Sequence, residues 1–186
     1  MKAIIVLFIL TFNASCLRAL DMRLIPVIDH KELQSDGRFL NATIVEVGDR
    51  QWNRTYLLHF EALRDIKEFK AFYSYSVRAF DGAVQKVLVS RWVDGCEVYR
   101  KPPTDRLVKS YYDPVIKNSK VSGCPYKAGQ MIMLNVTPSM LPIPSFVPES
   151  GFLIESKGYV KAGADIIYET RWYGRLVRMF NVDKTI

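Results

Sequence analysis

Trp92-Val93-Asp94-Gly95-Cys96 and Ser122-Gly123-Cys124-Pro125-Tyr126-Lys127-Ala128-Gly129 frame the segment on which the fold turns. Sheet-like alternation runs up to Cys96 and resumes after Gly129. Between them lies polar, proline-containing sequence with one apolar cluster, Leu107-Val108 and Tyr111-Tyr112. The two cysteines are expected to form a disulfide that closes this long excursion between two blocks of strands. A bridge over 28 positions stabilises by roughly 3–4 kcal/mol in the chain-entropy account, a large share of a marginal fold. Two unrelated buried thiols are the alternative.

The N-terminus bears on the same pairing. Lys2 precedes an unbroken apolar run from Ala3 to Leu10, and the small residues Ala14-Ser15-Cys16 follow. A short positive region, a short apolar region and a small-residue exit describe a secretory signal peptide. The run is too short for the roughly 20 residues that span a bilayer, and no later stretch approaches that length, so no transmembrane anchor is expected. Cleavage after Cys16 fits the small-residue rule; cleavage after Ala19 or Leu20 is the other option. Either way Cys16 leaves, and three cysteines become an even two, which suits an oxidising compartment. The expected organisation is a signal peptide over 1–16 and a single extracellular domain over 17–186, long enough to bury a core.

Lys and Arg number 26 against 19 acids, a net charge of +7 that falls to +6 once Lys2 is removed. Such an excess suits anionic membranes, acidic glycans or nucleic acid, and a secreted address argues against nucleic acid. The densest basic group, Arg171, Arg175 and Arg178, alternates within a strand-like segment and reads as a solvated face rather than an anion site. Three Asn-x-Ser/Thr triplets, at Asn41, Asn53 and Asn135, are expected at the surface as glycosylation acceptors.

In the run from Trp52 to Leu63, Trp52, Tyr56, Leu58, Phe60 and Ala62 share one parity, the alternation of a half-buried strand. From Phe69 to Phe80, Phe69, Ala71, Tyr73, Tyr75 and Val77 oppose Lys70, Ser74, Ser76 and Arg78, and Asp81-Gly82 signals a hairpin. The run Ala83 to Val93 is apolar on both parities and reads as a strand covered on both faces. Thr104 or Asp105 is expected to cap a short helix near 104–113, ended by Pro114. Ile132, Leu134 and Val136 share a face, a proline-rich loop follows from Pro138 to Pro148, and Phe152, Ile154 and Val160 resume the alternation. In the last strand Ile166, Tyr168, Thr170, Trp172 and Leu176 oppose Glu169, Arg171, Tyr173 and Arg175. About seven strands punctuated by turn signals indicate an all-β, immunoglobulin-like β-sandwich.

No catalytic residue is nominated. The sequence has two histidines, His30 and His59, no close Cys-x-x-Cys or His-x-x-x-His pair, no G-x-S-x-G, no phosphate-cradling glycine loop and no H-E-x-x-H. Neither a metal nor a cofactor is implied. The distinctive feature is aromatic loading: ten Phe, ten Tyr and three Trp, many on inward parities. Either these rings fill a dry core, or the sandwich is too wide to fill and holds a hydrophobic ligand. If a cavity exists, its walls come from the inward sets: Leu58 and Phe60, Tyr73 and Tyr75, Ile132 and Leu134, Phe152 and Ile154, Tyr168 and Trp172. Met131, Met133, Phe146 and Val147 would give it a mouth beside the proline-rich loop.

The pattern Trp92-Val93-Asp94-Gly95-Cys96, Asn118-Ser119, Cys124-Pro125-Tyr126-Lys127-Ala128-Gly129, Pro142 to Pro148 and Gly151-Phe152 resembles an insect-expanded secreted family of unknown function. That family includes the chemosensory B-type proteins. It is similar to lipid-recognition domains of the ganglioside-activator (ML) type, whose sandwich opens between its sheets to hold a lipid tail. The resemblance is strongest from about 69 to 160. It implies a non-enzymatic carrier of a hydrophobic small molecule or lipid, in chemosensation or reproduction. Its signature marks the disulfide frame, so no ligand residue is carried over. The alternative is a dry-cored secreted protein that binds a cell-surface receptor or glycan through its outer face.

Overall fold

The computed structural model describes residues 22–78, 83–101, 103–104, 106–120, 123–143, 147–160 and 165–180. Its strands are β1 (Met22–Ser35), β2 (Leu40–Val47), β3 (Thr55–Ala62), β4 (Lys70–Arg78), β5 (Val84–Asp94), β6 (Met131–Val136), β7 (Gly151–Val160) and β8 (Asp165–Phe180). Two helices, α1 (Gly95–Arg100) and α2 (Arg106–Lys117), lie between β5 and β6. One sheet has the order β1-β8-β7-β4-β5 and the other β2-β3-β6, with every pairing antiparallel. Among the described residues the protein is a β-sandwich of eight strands, in keeping with the roughly seven expected.

The chain changes sheets at a tight turn after β1. The Asp36 carboxylate accepts from the Arg38 backbone N at 2.9 Å, while Phe39 N donates to the Asp36 carbonyl at 2.9 Å. This side-chain-closed turn delivers Phe39 and Leu40, both buried, into the core at the start of β2. The core lies between the sheets. Tyr56, Leu58, Phe60 and Ala62 of β3 face Phe152, Ile167 and Leu176 of the larger sheet. Tyr56 packs edge-on against Trp172 at 5.2 Å, Phe60 against Tyr168 at 5.2 Å and Tyr75 against Phe152 at 6.0 Å. Full burial of a ring such as Phe152 is worth roughly 1.5–3 kcal/mol.

Several local expectations are corrected. The strand expected from Trp52 begins at Thr55, since Gln51–Asn53 forms a 3-10 turn that carries Asn53 off the sheet. Ser74 and Ser76, of the outward parity, are buried. They lie on β4, an interior strand between β7 and β5, and Ser74 Oγ donates to Glu155 at 3.3 Å. In β8 a register shift opposite Gly158/Tyr159 turns Ile166 outward, 46% exposed, and puts Ile167 inside at 1%. An extra residue in one strand reverses the faces beyond it. β5, read as covered on both faces, is an edge strand with Val87, Leu88 and Trp92 exposed. Asp81-Gly82, the expected hairpin turn, lies outside the described residues.

The helix expected near 104–113 runs over Arg106–Lys117 and passes through Pro114. Its last carbonyls find side-chain donors: Asn118 Nδ2 donates to the Pro114 carbonyl at 3.0 Å, and the Ser119 hydroxyl donates to that of Val115. Satisfying these end groups and burying an apolar face outweigh the proline's missing bond. The outer face of the larger sheet neutralises its own cations. Arg171 meets Glu169 at 2.7 Å, Glu155 at 3.4 Å and Glu32 at 3.5 Å; Arg175 pairs with Asp29, and Arg178 with Glu149 at 3.8 Å. Arg171 and Arg175 share this solvated, carboxylate-paired face, whereas Arg178 lies opposite core residue Leu24 and so on the other face, near the end of β8.

Candidate functional site

Phe69, in the segment leading into β4, is the hinge of the site. Two glycines make room for its ring: a Cβ on Gly95 would lie 2.0 Å from Phe69 Cδ1, and one on Gly158 would lie 2.8 Å from Phe69 Cε2. Gly95 N also donates to the Phe69 carbonyl at 2.9 Å, fastening the start of α1 beside the ring. The Asp94 carboxylate caps that helix, accepting from Cys96 N and Glu97 N at 2.9 Å each.

Cys96 and Cys124 are joined, with their Cα atoms 5.2 Å apart. The bridge ties α1 to the loop before β6. That loop is itself locked to the segment after β3: Ile66 and Tyr126 exchange backbone hydrogen bonds at 2.8 and 3.0 Å, and both side chains are buried. Asp65 accepts from Lys127 Nζ at 2.8 Å and from Ala128 N at 3.1 Å, contacts that hold its carboxyl below the usual carboxylate range. On the other side, α2 is joined to α1 by the Tyr112 hydroxyl, which donates to the Val98 carbonyl at 2.9 Å. Ser119 Oγ accepts from Asn135 N at 3.0 Å, and Lys120 pairs with Met133 through two backbone bonds.

The two helices thereby cover one end of the sandwich, and under them lies an apolar recess of about 220 Å³. Phe60, Ile132 and Leu134 form its floor on the smaller sheet, Ala71, Val93 and Tyr168 its wall on the larger, and Val98, Tyr112, Val115 and Ile116 its roof. Of its three tyrosines, Tyr112 and Tyr168 have their hydroxyls engaged. Tyr112 is bonded to Val98, and the Tyr168 hydroxyl lies 3.2 Å from Ser156 Oγ. Burial pushes both phenols above their ordinary pKa. What is left facing the space is hydrocarbon and aromatic surface.

Of the ten residues expected to wall a cavity, Phe60, Ile132, Leu134 and Tyr168 line this recess. Leu58, Tyr75, Phe152, Ile154 and Trp172 belong to the packed core or lie against it, away from the recess. Tyr73 is half-buried and does neither. The space sits at one end of the sandwich beneath α1 and α2, and no described residue of the proline-rich loop lines it; Ile143 and Val147 pack on the core instead. Phe146, assigned to a mouth there, lies outside the described residues. The parity argument missed the roof because the roof is helical, though Tyr112, Val115 and Ile116 carry a three-and-four spacing that marks one helix face. Asn41 and Asn53 are exposed, and Asn135 is half-buried.

A second cleft, of about 430 Å³, adjoins the recess across Phe69. Its lining is charged, with Lys67, Lys70, Arg100 and Lys101 opposite Glu68, Asp94 and Glu97. Among the described residues no group of three His, Cys, Asp or Glu side chains is placed to hold a metal ion, and no helix is long and apolar enough to cross a membrane.

Comparison with known proteins bears on the stretch that joins these features. Residues 71–154, from β4 through both helices, the disulfide and β6 to the middle of β7, match the model of a family described as Protein of unknown function (DUF1091). Those residues are similar to that family. The matched stretch contains both bridged cysteines and all four residues of the recess roof, which agrees with the resemblance read from the Asp-Gly-Cys and Cys-Pro contexts. The matched segment supplies strands to both sheets, whereas β1 to β3 and β8 lie outside it. Among solved structures the chain is similar to the crystal structure of a Niemann-Pick type C2 protein from Japanese carpenter ant, with 12% identity and a TM-score of 0.35 over 81% of this chain and 92% of that one. No curated protein matches the sequence.

Proposed function

We propose that the protein is a secreted, non-enzymatic carrier of a small hydrophobic molecule, such as a lipid, fatty-acid derivative or cuticular hydrocarbon, held beneath α1 and α2. One observation carries the reading: a recess of about 220 Å³ with apolar walls, in which the Tyr112 and Tyr168 hydroxyls are already hydrogen-bonded within the protein. A site of this kind gains from displacing water by hydrocarbon and offers little to a polar ligand. The Cys96–Cys124 bridge and the signal-like N-terminus support an extracellular address. Exposed Asn41 and Asn53 are the favoured glycan sites. A chemosensory or reproductive role is the reading that the family resemblance suggests.

Native mass spectrometry of protein from its own secretory source tests the carrier. The expected result is co-purifying apolar ligand that Leu134→Phe displaces with little loss of stability, because the larger ring fills vacant space. Absence of ligand, together with an overpacking loss of about 1–3 kcal/mol in that variant, would refute it. A second reading rests on Trp92, 58% exposed on the edge strand and packed at a tilt against Phe72 at 5.3 Å and Tyr159 at 5.0 Å. Such an aromatic surface suits a receptor or glycan partner on the outer face. Trp92→Ala abolishing receptor or glycan binding, with the recess ligand unaffected, would select it.

A further inference from the structure

We propose that the charged cleft is the headgroup site of the same ligand, which makes that ligand an amphipathic anion with an apolar tail in the recess. This inference rests on the carrier reading and adds the chemistry of the ligand's other end. The two spaces share a wall, since Phe69 lines both, and α1 borders both through Gly95 and Val98 on one side and Cys96, Glu97 and Arg100 on the other.

The cleft carries one more cation than acid: Lys67, Lys70, Arg100 and Lys101 against Glu68, Asp94 and Glu97. Asp94, across from Lys70 in the β4–β5 register, keeps its charge while its oxygen accepts from the backbone N–H groups of Cys96 and Glu97, and Glu97 pairs with Lys101 at 3.9 Å. Lys67, Lys70 and Arg100 remain beside Glu68. Among the described residues none of these three cations has a carboxylate within 4.0 Å. This contrasts with the outer face of the larger sheet, where Arg171 and Arg175 each have an acid partner. Arg100 is also held in place, for its helix is bridged to Cys124 and its Nη2 donates to the Cys124 carbonyl at 3.5 Å. A carboxylate, sulfate or phosphate in the cleft would draw on these donors at the point where an apolar tail leaves the recess past Phe69.

Size sets the tail. The recess is about half as large again as the ~150 Å³ apolar cavity that takes up benzene, so by proportion it suits about eight or nine carbons. Alone it falls below the ~300–1,000 Å³ usual for ligand sites, and with the cleft the pair lies inside that range.

The test compares octanoate with octan-1-ol, each displacing an apolar fluorophore from the full mature protein. Octanoate is expected to bind more tightly, and its advantage to shrink when salt rises from about 50 to 500 mM. Lys70→Gln combined with Arg100→Gln should weaken octanoate about tenfold and leave octan-1-ol unchanged. Glu68→Gln, which removes an opposing charge and needs no new packing, should strengthen octanoate. Equal affinity of the two probes for the wild-type protein, or a parallel loss of both in the double variant, would overturn the headgroup site and leave the carrier reading intact. Binding of neither probe would overturn both.

Discussion

Replacing both bridged cysteines, Cys96→Ser with Cys124→Ser, isolates the contribution of the covalent frame. The bridge closes a loop of 28 positions, and the chain-entropy relation gives a loss of about 3.6 kcal/mol at 25 °C for a loop of that length. The folded state has other fastenings at the same place: the Asp94 cap, the Gly95–Phe69 hydrogen bond and the Tyr112–Val98 hydrogen bond. Native geometry is therefore expected to survive, with the loss arising in the unfolded chain. At roughly 2–4 °C per kcal/mol for a domain of this size, the melting temperature should fall by about 7–14 °C. Equilibrium urea denaturation followed by tryptophan fluorescence measures the free energy directly. The slope should rise slightly, because an uncrosslinked chain exposes more surface on unfolding. A loss below about 1 kcal/mol would refute the entropic argument. A large loss with the recess and α1 disordered in the folded variant would refute the claim that the other fastenings suffice.

Two further outcomes follow from particular contacts. Gly158→Ala would put a Cβ 2.3 Å from Tyr168 Cε1 and 2.8 Å from Phe69 Cε2, an overpacking expected to cost about 1–3 kcal/mol. A thermal-unfolding cycle with Tyr168→Ala should show strong coupling between the positions, and strict additivity would count against the contact. Hydrogen bonds from the Arg38 side chain and backbone hold the Asp36 carboxyl down from 3.8 to about 2. A depressed carboxyl stabilises the fold above its unfolded pKa and ceases to do so as pH falls through its folded one. Asp36→Asn should therefore flatten the dependence of melting temperature on pH between about 4 and 2, and an unchanged slope would mean that the turn is not sensed by stability.

The one-dimensional pattern carried the class of the fold and much of its core. Tyr56, Leu58, Phe60 and Ala62 are buried on one face of β3, as their alternation requires, since a strand's side-chain period is two whatever its neighbours. The cysteine pairing was legible too, because once Cys16 is assigned to a signal only one pair remains. What alternation does not encode is which strands become neighbours. β5 reads apolar on both parities, yet the chain path leaves it at the sheet edge with Trp92 in water, while Ser74 and Ser76 are buried on β4, which has a strand on either side. One bulge exchanges Ile166 for Ile167, a local irregularity decided by pairing with β7. The recess is a tertiary product altogether. It is volume left unfilled where a helical roof, carried between Cys96 and Cys124, meets strands distant in sequence, so Phe60 and Leu134 line it while Leu58 and Phe152, equally apolar and equally inward, pack solidly in the core.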